Sequence, residues 1–169
     1  MNLEMKAIKH SEWASEETYC YQANVYLDGK PFAMVSNDGH GGSDRDYSHD
    51  KFKGDYREYR QTMTKIDEYF KSLPKRDVGK YDWAPEGFDE SFEGWCHEQV
   101  TNYLITKDVK KALKKNKVVY QKNDDGKMGL YDWHINANSD ALKKRYPESV
   151  ILNDLPIDEA VKIWRGHFG

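Results

Sequence analysis

Hydrophobic and polar positions alternate most clearly from Tyr19 to Leu27. Tyr19, Tyr21, Ala23, Val25 and Leu27 fall on one face, and Cys20, Gln22, Asn24 and Tyr26 on the other, which is the period of a β-strand. Asp28-Gly29 supplies two residues that favour positive φ, as a tight hairpin turn requires. Lys30 to Asn37 returns as a second strand, with Phe32 and Met34 on one side and Ala33 and Val35 on the other. Leu3, Met5 and Ala7 also alternate with polar residues and make the start of the chain a further candidate strand. Ser11 to Thr18 reads as a polar connection.

The period then changes to that of a helix. Phe52, Tyr56, Tyr59, Met63, Ile66 and Phe70 recur at spacings of four and three, which predicts one apolar stripe on a helix capped near Ser48 and ended by Pro74. Lys75 to Glu90 has no period and reads as a packed loop anchored by Tyr81, Trp83 and Phe88. Ser91 to Asn116 is helical in pattern, with a possible break near Thr106. Lys117 to Lys122 and Leu130 to Ile135 flank Asp125-Gly126 as a second hairpin. Ser139 to Arg145 predicts a short helix with Ser139 as its cap, Val150 to Leu152 a buried strand, and Ile157, Ala160, Val161 and Trp164 a last helix opening after Pro156. The order predicts an α+β fold: a single domain over 1–169 with two β-hairpins in an antiparallel or mixed sheet covered by helices.

Composition sharpens this picture. The hydrophobic share is only 38% and 33% of residues are charged, but five Trp, twelve Tyr and six Phe supply large burial per residue. A core built from aromatics more than from Leu and Ile is therefore expected. The net charge of −3 is too mild for a DNA mimic and of the wrong sign for a general nucleic-acid binder. No segment is long and apolar enough to span a membrane. Met1 to Trp13 lacks the apolar run of a secretory signal, so a cytoplasmic location is expected, with Cys20 and Cys96 as reduced, buried thiols.

One segment carries local chemistry. Asn37, Asp38, Gly39, His40, Gly41 and Gly42 precede Asp44, Arg45 and Asp46. Glycines let backbone N–H groups approach a ligand, and such loops form anion-binding nests. His40 adds a titratable group and Arg45 a cation. The plain alternative is a hairpin exit that needs positive φ at three places. The loop has neither the Gly-Lys-Ser/Thr of a P-loop nor a dinucleotide fingerprint. No histidine pair has metal-motif spacing and no Cys-x-x-Cys occurs, so no metal, no cofactor and no catalytic residue is assigned. Lys107, Lys110, Lys111, Lys114, Lys115 and Lys117 form the strongest charge cluster, which reads as a solvated helix C-terminus. Asn153 and Asp154 form a turn before Pro156. A loop this rich in glycine needs fixed polar partners to hold one shape, so Asn153 or Asp154 is expected to bind its backbone N–H groups and join the candidate ligand-binding set.

Ala14-Ser15-Glu16-Glu17-Thr18, the Asn37 to Gly42 loop and Leu152-Asn153-Asp154-Leu155-Pro156 together resemble a group of small proteins from bacteriophages and bacterial genomes. The group implies a phage or mobile-element accessory protein made in the bacterial cytoplasm, and carries over no catalytic residue. Three functions follow as expectations. The first is an accessory protein that binds a host bacterial protein, inhibiting a defence component, for which Tyr and Trp suit the surface. The second is a sponge for a nucleotide-type small ligand held by the Gly-rich loop. The third is a metal-assisted hydrolase using His40 with Asp38, Asp44 or Asp46.

Overall fold

The computed structural model of the chain describes residues 1–76 and 87–168. Most of the aperiodic loop around Tyr81 and Trp83 lies outside these. The fold is α+β, with two compact units, Met1–Thr101 and Asn102–Gly169.

The first unit contains strands β1 (Leu3–Ser11), β2 (Cys20–Leu27), β3 (Lys30–Asn37) and β4 (Arg45–Ser48) in one antiparallel sheet, in that order. Asp28 and Gly29 take positive φ, 48° and 78°, as the hairpin turn demands. Tyr21, Ala23, Val25, Ala33 and Val35 are buried on one face. Between β2 and β3 the register slips from Val25↔Ala33 to Tyr26↔Pro31. Phe32 is the extra residue of this bulge, which is how it becomes buried beside Ala33 instead of facing away from it.

Helix α1 (Tyr56–Lys71) buries Tyr59, Met63, Ile66 and Phe70. Its start corrects the sequence expectation. The cap is Asp55, in a box with Glu58, where each side chain accepts the other's backbone N–H at 2.8 and 3.0 Å. Ser48 instead ends β4, a strand too short to show in the pattern. Phe52 therefore reaches the core from outside the helix, through edge contacts to Phe32 and Tyr59, and Tyr56 is left 76% exposed. Helix α2 (Phe92–Lys115) is continuous across Thr106, whose hydroxyl donates back to the Asn102 carbonyl.

In the second unit β5 (Asn116–Lys122) stands between β6 (Met128–His134) and β7 (Val150–Ile151), all antiparallel. The two hairpins thus belong to two sheets. Alternate residues of β5 serve two clusters. Val118 packs with Val109, Leu152 and Ala160, the last from α4 (Ile157–Phe168). Val119 packs with Ile151 and Leu142, the latter from α3 (Ser139–Arg145). The cap of α3 is Asn138, which accepts from Ala141 N–H at 2.9 Å. Among described residues the fully buried positions here are aliphatic, with Trp133, Tyr146 and Trp164 packed around them. The aromatic core is thus a property of the first unit.

Asn153 does not serve the Gly-rich loop. Its Oδ1 accepts from Val118 N–H at 2.8 Å, and its Nδ2 donates to the Leu113 and Asn116 carbonyls at 3.0 Å each. Asp154 accepts from Lys143. Asn153 ties the end of α2 to β5, where backbone groups leaving a helix for a strand have no ladder partner. Asn153→Ala is expected to cost about 2–3 kcal/mol by leaving these groups unpaired. The check is urea denaturation together with faster hydrogen exchange at the Val118 amide.

Candidate functional site

The Gly-rich loop is organised by the side chain of Asn37, the last residue of β3. Its Oδ1 accepts from the Thr18 hydroxyl at 2.7 Å and from Gly39 N–H at 2.9 Å. Its Nδ2 donates to the Gly42 carbonyl and to Asp44 Oδ1, both at 3.1 Å. Gly39 has φ of 90°, and its carbonyl receives the N–H groups of Glu16, Glu17 and Thr18 at 2.9, 2.9 and 3.3 Å. A Cβ at this position would lie 1.9 Å from the Ala14 carbonyl oxygen. Glycine is required here by conformation and by space together.

The remaining candidates are paired within the same unit. His40 Nδ1 lies 3.2 Å from Glu16 Oε2. Arg45 bonds Asp38 at 2.9 Å. Asp46 accepts from the Tyr59 hydroxyl at 2.7 Å. Asp44 accepts from the Tyr21 hydroxyl and gives its own N–H to Glu93 Oε1 at 2.9 Å. The structure therefore brings Asn37, Asp38, Gly39, His40, Gly42, Arg45 and Asp44 into one network, and leaves Asn153 and Asp154 to the network of the second unit. The N–H groups of Gly39, His40 and Asp44 point to oxygens of Asn37, Asp38 and Glu93. The protein's own side chains thus take three of the amides that an external anion could use.

The buried chemistry beside the loop is quiet. Burial pushes the Tyr21 hydroxyl and the Cys96 thiol well above their ordinary values, with Asp44 adding to both shifts. A thiol so held is not a nucleophile at neutral pH. Cys20 is also free, and only half-buried. Ser15 Oγ lies 3.2 Å from His10 Nε2, but its proton is directed to the Ser11 carbonyl at 2.7 Å while it accepts from Cys20 N–H. This pairing leaves the histidine to donate rather than to activate the hydroxyl. Among the described residues no group of three His, Cys, Asp or Glu side chains is placed to hold a metal ion, and no helix is long and apolar enough to cross a membrane. Lys107, Lys110, Lys111, Lys114 and Lys115 line one face of α2. Lys117 is separate, its ammonium donating to the Ala137 carbonyl and the Ser139 hydroxyl.

Two features lie outside the motifs that sequence reading singled out. Trp13, in the 3₁₀ turn Glu12–Ala14, is 90% exposed. The signal for it was a large aromatic inside an otherwise polar, aperiodic connection. The second is a cavity of about 620 Å³ ringed by Lys30, Lys51, Lys53 and Lys65. Its trace in the sequence is Lys51-Phe52-Lys53-Gly54, which helical spacing had absorbed into α1.

Comparison with known proteins finds no matching family model, no similar curated protein and no similar solved structure. The geometry makes two predictions of its own. Gly39→Ala is expected to destabilise the protein by about 3 kcal/mol or more, because both the φ and the Ala14 carbonyl oppose a Cβ; urea denaturation measures this. Asp44 is the second case. Burial raises its carboxyl above the ordinary aspartate value, more than the bonds from Tyr21 and Asn37 lower it. The folded protein then holds this proton to higher pH than the unfolded chain, so stability falls as pH rises through that interval. Asp44→Asn is expected to lack this contribution, so the unfolding free energy of the native protein relative to the variant should fall as pH rises, measured from about pH 4 to 7.

Proposed function

We propose that the protein acts by binding a protein partner through a face centred on Trp13. In this reading it is a phage or mobile-element accessory protein that neutralises a bacterial defence component in the host cytoplasm. The observation that carries the binding reading is an indole left 90% exposed on a pinned support. The support is specific. Ser15 N–H bonds the Glu12 carbonyl, the Ser15 hydroxyl bonds the Ser11 carbonyl, and the next three residues donate to Gly39. The elaborate Gly-rich loop thus has a purpose without any ligand of its own: it is the base on which the 12–18 turn stands.

A tryptophan presented on a preformed turn loses little freedom on association and removes roughly 200 Å² from water. Such residues dominate the energy of protein interfaces, often by about 2 kcal/mol or more each. Tyr47 and Tyr56, 50% and 76% exposed, add further aromatic surface to the same unit. The phage and defence context comes from the resemblance of the 14–18, 37–42 and 152–156 segments.

Trp13→Ala removes little buried area, so its unfolding free energy should change by less than about 0.5 kcal/mol. In affinity capture from bacterial lysate, the native protein is expected to recover a stoichiometric defence component that the variant does not. Recovery of the same partner by both proteins, or of none by the native protein across several hosts, defeats the reading.

A further inference from the structure

We propose that the first unit binds a nucleotide in the cavity between the β2–β3 hairpin, the 51–54 segment and α1. This site is distinct from the Gly-rich loop and from Trp13. It is built by three local events. The bulge that turns Phe32 inward sets its ring 5.7 Å from Phe52 and 5.1 Å from Tyr59. Leu27, Pro31, Phe32 and Phe52 then form an apolar floor. Helix α1 contributes Glu58, Gln61, Thr62 and Lys65, which recur at the three- and four-residue spacing of one helical face. Gly54 allows the close approach of both walls, since a Cβ there would lie 2.6 Å from the Phe52 ring and 2.6 Å from Glu58 Oε2.

The electrostatics name the ligand's charge. Lys30, Lys51, Lys53 and Lys65 surround the floor. None of these four ammonium groups makes an ion pair among the described residues. The single acid in the lining, Glu58, is committed to the Asp55 N–H of the capping box. In a chain with 29 acids and 26 bases, gathering unpaired cations around one apolar floor is not a consequence of average composition. Each lysine is a point charge suited to phosphate oxygens.

The apolar floor sets the rest. An inorganic anion would satisfy the lysines and leave Phe52 and Pro31 wet. A nucleotide satisfies both, with its base against the Phe52 ring and its phosphates among the ammonium groups. The Gln61 amide can donate to and accept from a base edge. A volume of about 620 Å³ lies within the range of small-ligand sites.

Isothermal titration calorimetry on the full chain tests this with ADP, GDP and UDP, using adenosine and inorganic pyrophosphate as the separated halves. At least one of the diphosphates is expected to bind saturably, about tenfold or more tighter than either half. The double variant Lys51→Gln/Lys53→Gln and, separately, Lys65→Gln should each weaken it about tenfold. These side chains are exposed, and circular dichroism confirms the fold of each variant. Phe52→Leu should weaken the nucleotide and leave pyrophosphate unchanged. Lys110→Gln/Lys114→Gln on α2, and Trp13→Ala, should leave binding unaltered. The proposal is overturned if no diphosphate binds at about 1 mM, if binding follows the α2 lysines, or if pyrophosphate binds as tightly as the nucleotides. Because Trp13 is not involved, failure here leaves the protein-binding reading standing, and the converse also holds.

Discussion

Four hydrogen bonds converge on the side-chain amide of Asn37, and the polar architecture of the first unit depends on them. A carboxamide offers two acceptor positions and two donors, and here all are used, by Thr18, Gly39, Gly42 and Asp44. The four partners come from three parts of the chain's path. Thr18 leads into β2, Gly39 and Gly42 shape the loop, and Asp44 leads into β4. Because Asn37 is 91% buried, by its 9% residual exposure, any partner lost leaves a desolvated group behind, and the penalty is larger than the bond's own net worth. From this one residue the order runs outward: Asn37 orients Gly39, the Gly39 carbonyl gathers three amides, and those amides hold the turn that displays Trp13.

The same burial decides which groups are chemically silent. Tyr21, Asp44 and Cys96 are drawn toward their protonated forms by desolvation. Such a set stabilises neutral hydrogen bonding and supplies neither a ready nucleophile nor a free base. The reactive-looking pair His10 and Ser15 is likewise consumed by the 11–20 connection. At the surface of the first unit lie an exposed indole at Trp13 and, around Phe52, four lysine ammonium groups without an ion pair among the described residues.

Most elements were legible because their signals are local. Alternation marked β2 and β3, Asp-Gly marked both hairpin turns, and the stripe through Tyr59, Met63, Ile66 and Phe70 marked α1. Failures occurred where a distant partner decides the outcome. β4 is four residues long and exists because β3 offers it a ladder. Phe52 matched the helical period, yet the Asp55–Glu58 box starts the helix later. That the hairpins occupy separate sheets is a long-range fact with no local period. Asn153 was read as a turn residue whose side chain serves the Gly-rich loop, but it serves Leu113, Asn116 and Val118 instead, because nothing in its neighbours states which backbone it binds. In the candidate loop the required glycines were legible, whereas the pairing of its Gly39, His40 and Asp44 amides with Asn37, Asp38 and Glu93 oxygens depends on tertiary placement.

Exposure of an aromatic is the least legible property, because the same residue type serves a core and an interface. In the first unit Tyr21, Phe32, Tyr59, Phe70 and Phe92 are buried, so the unit does not lack aromatic core. Trp13 is therefore not a core residue displaced by poor packing. Its segment is held by five bonds, from Ser15 Oγ, Ser15 N–H and the Gly39 carbonyl, and a chain so constrained would have turned the ring inward had burial been its role. A rigid support under an exposed ring keeps the apolar area available and lowers the entropy lost when that area is covered. In the proposed reading, that combination is what a presented side chain needs, and it gives the hydrogen bonds of the glycine-rich loop to the 14–18 segment a role.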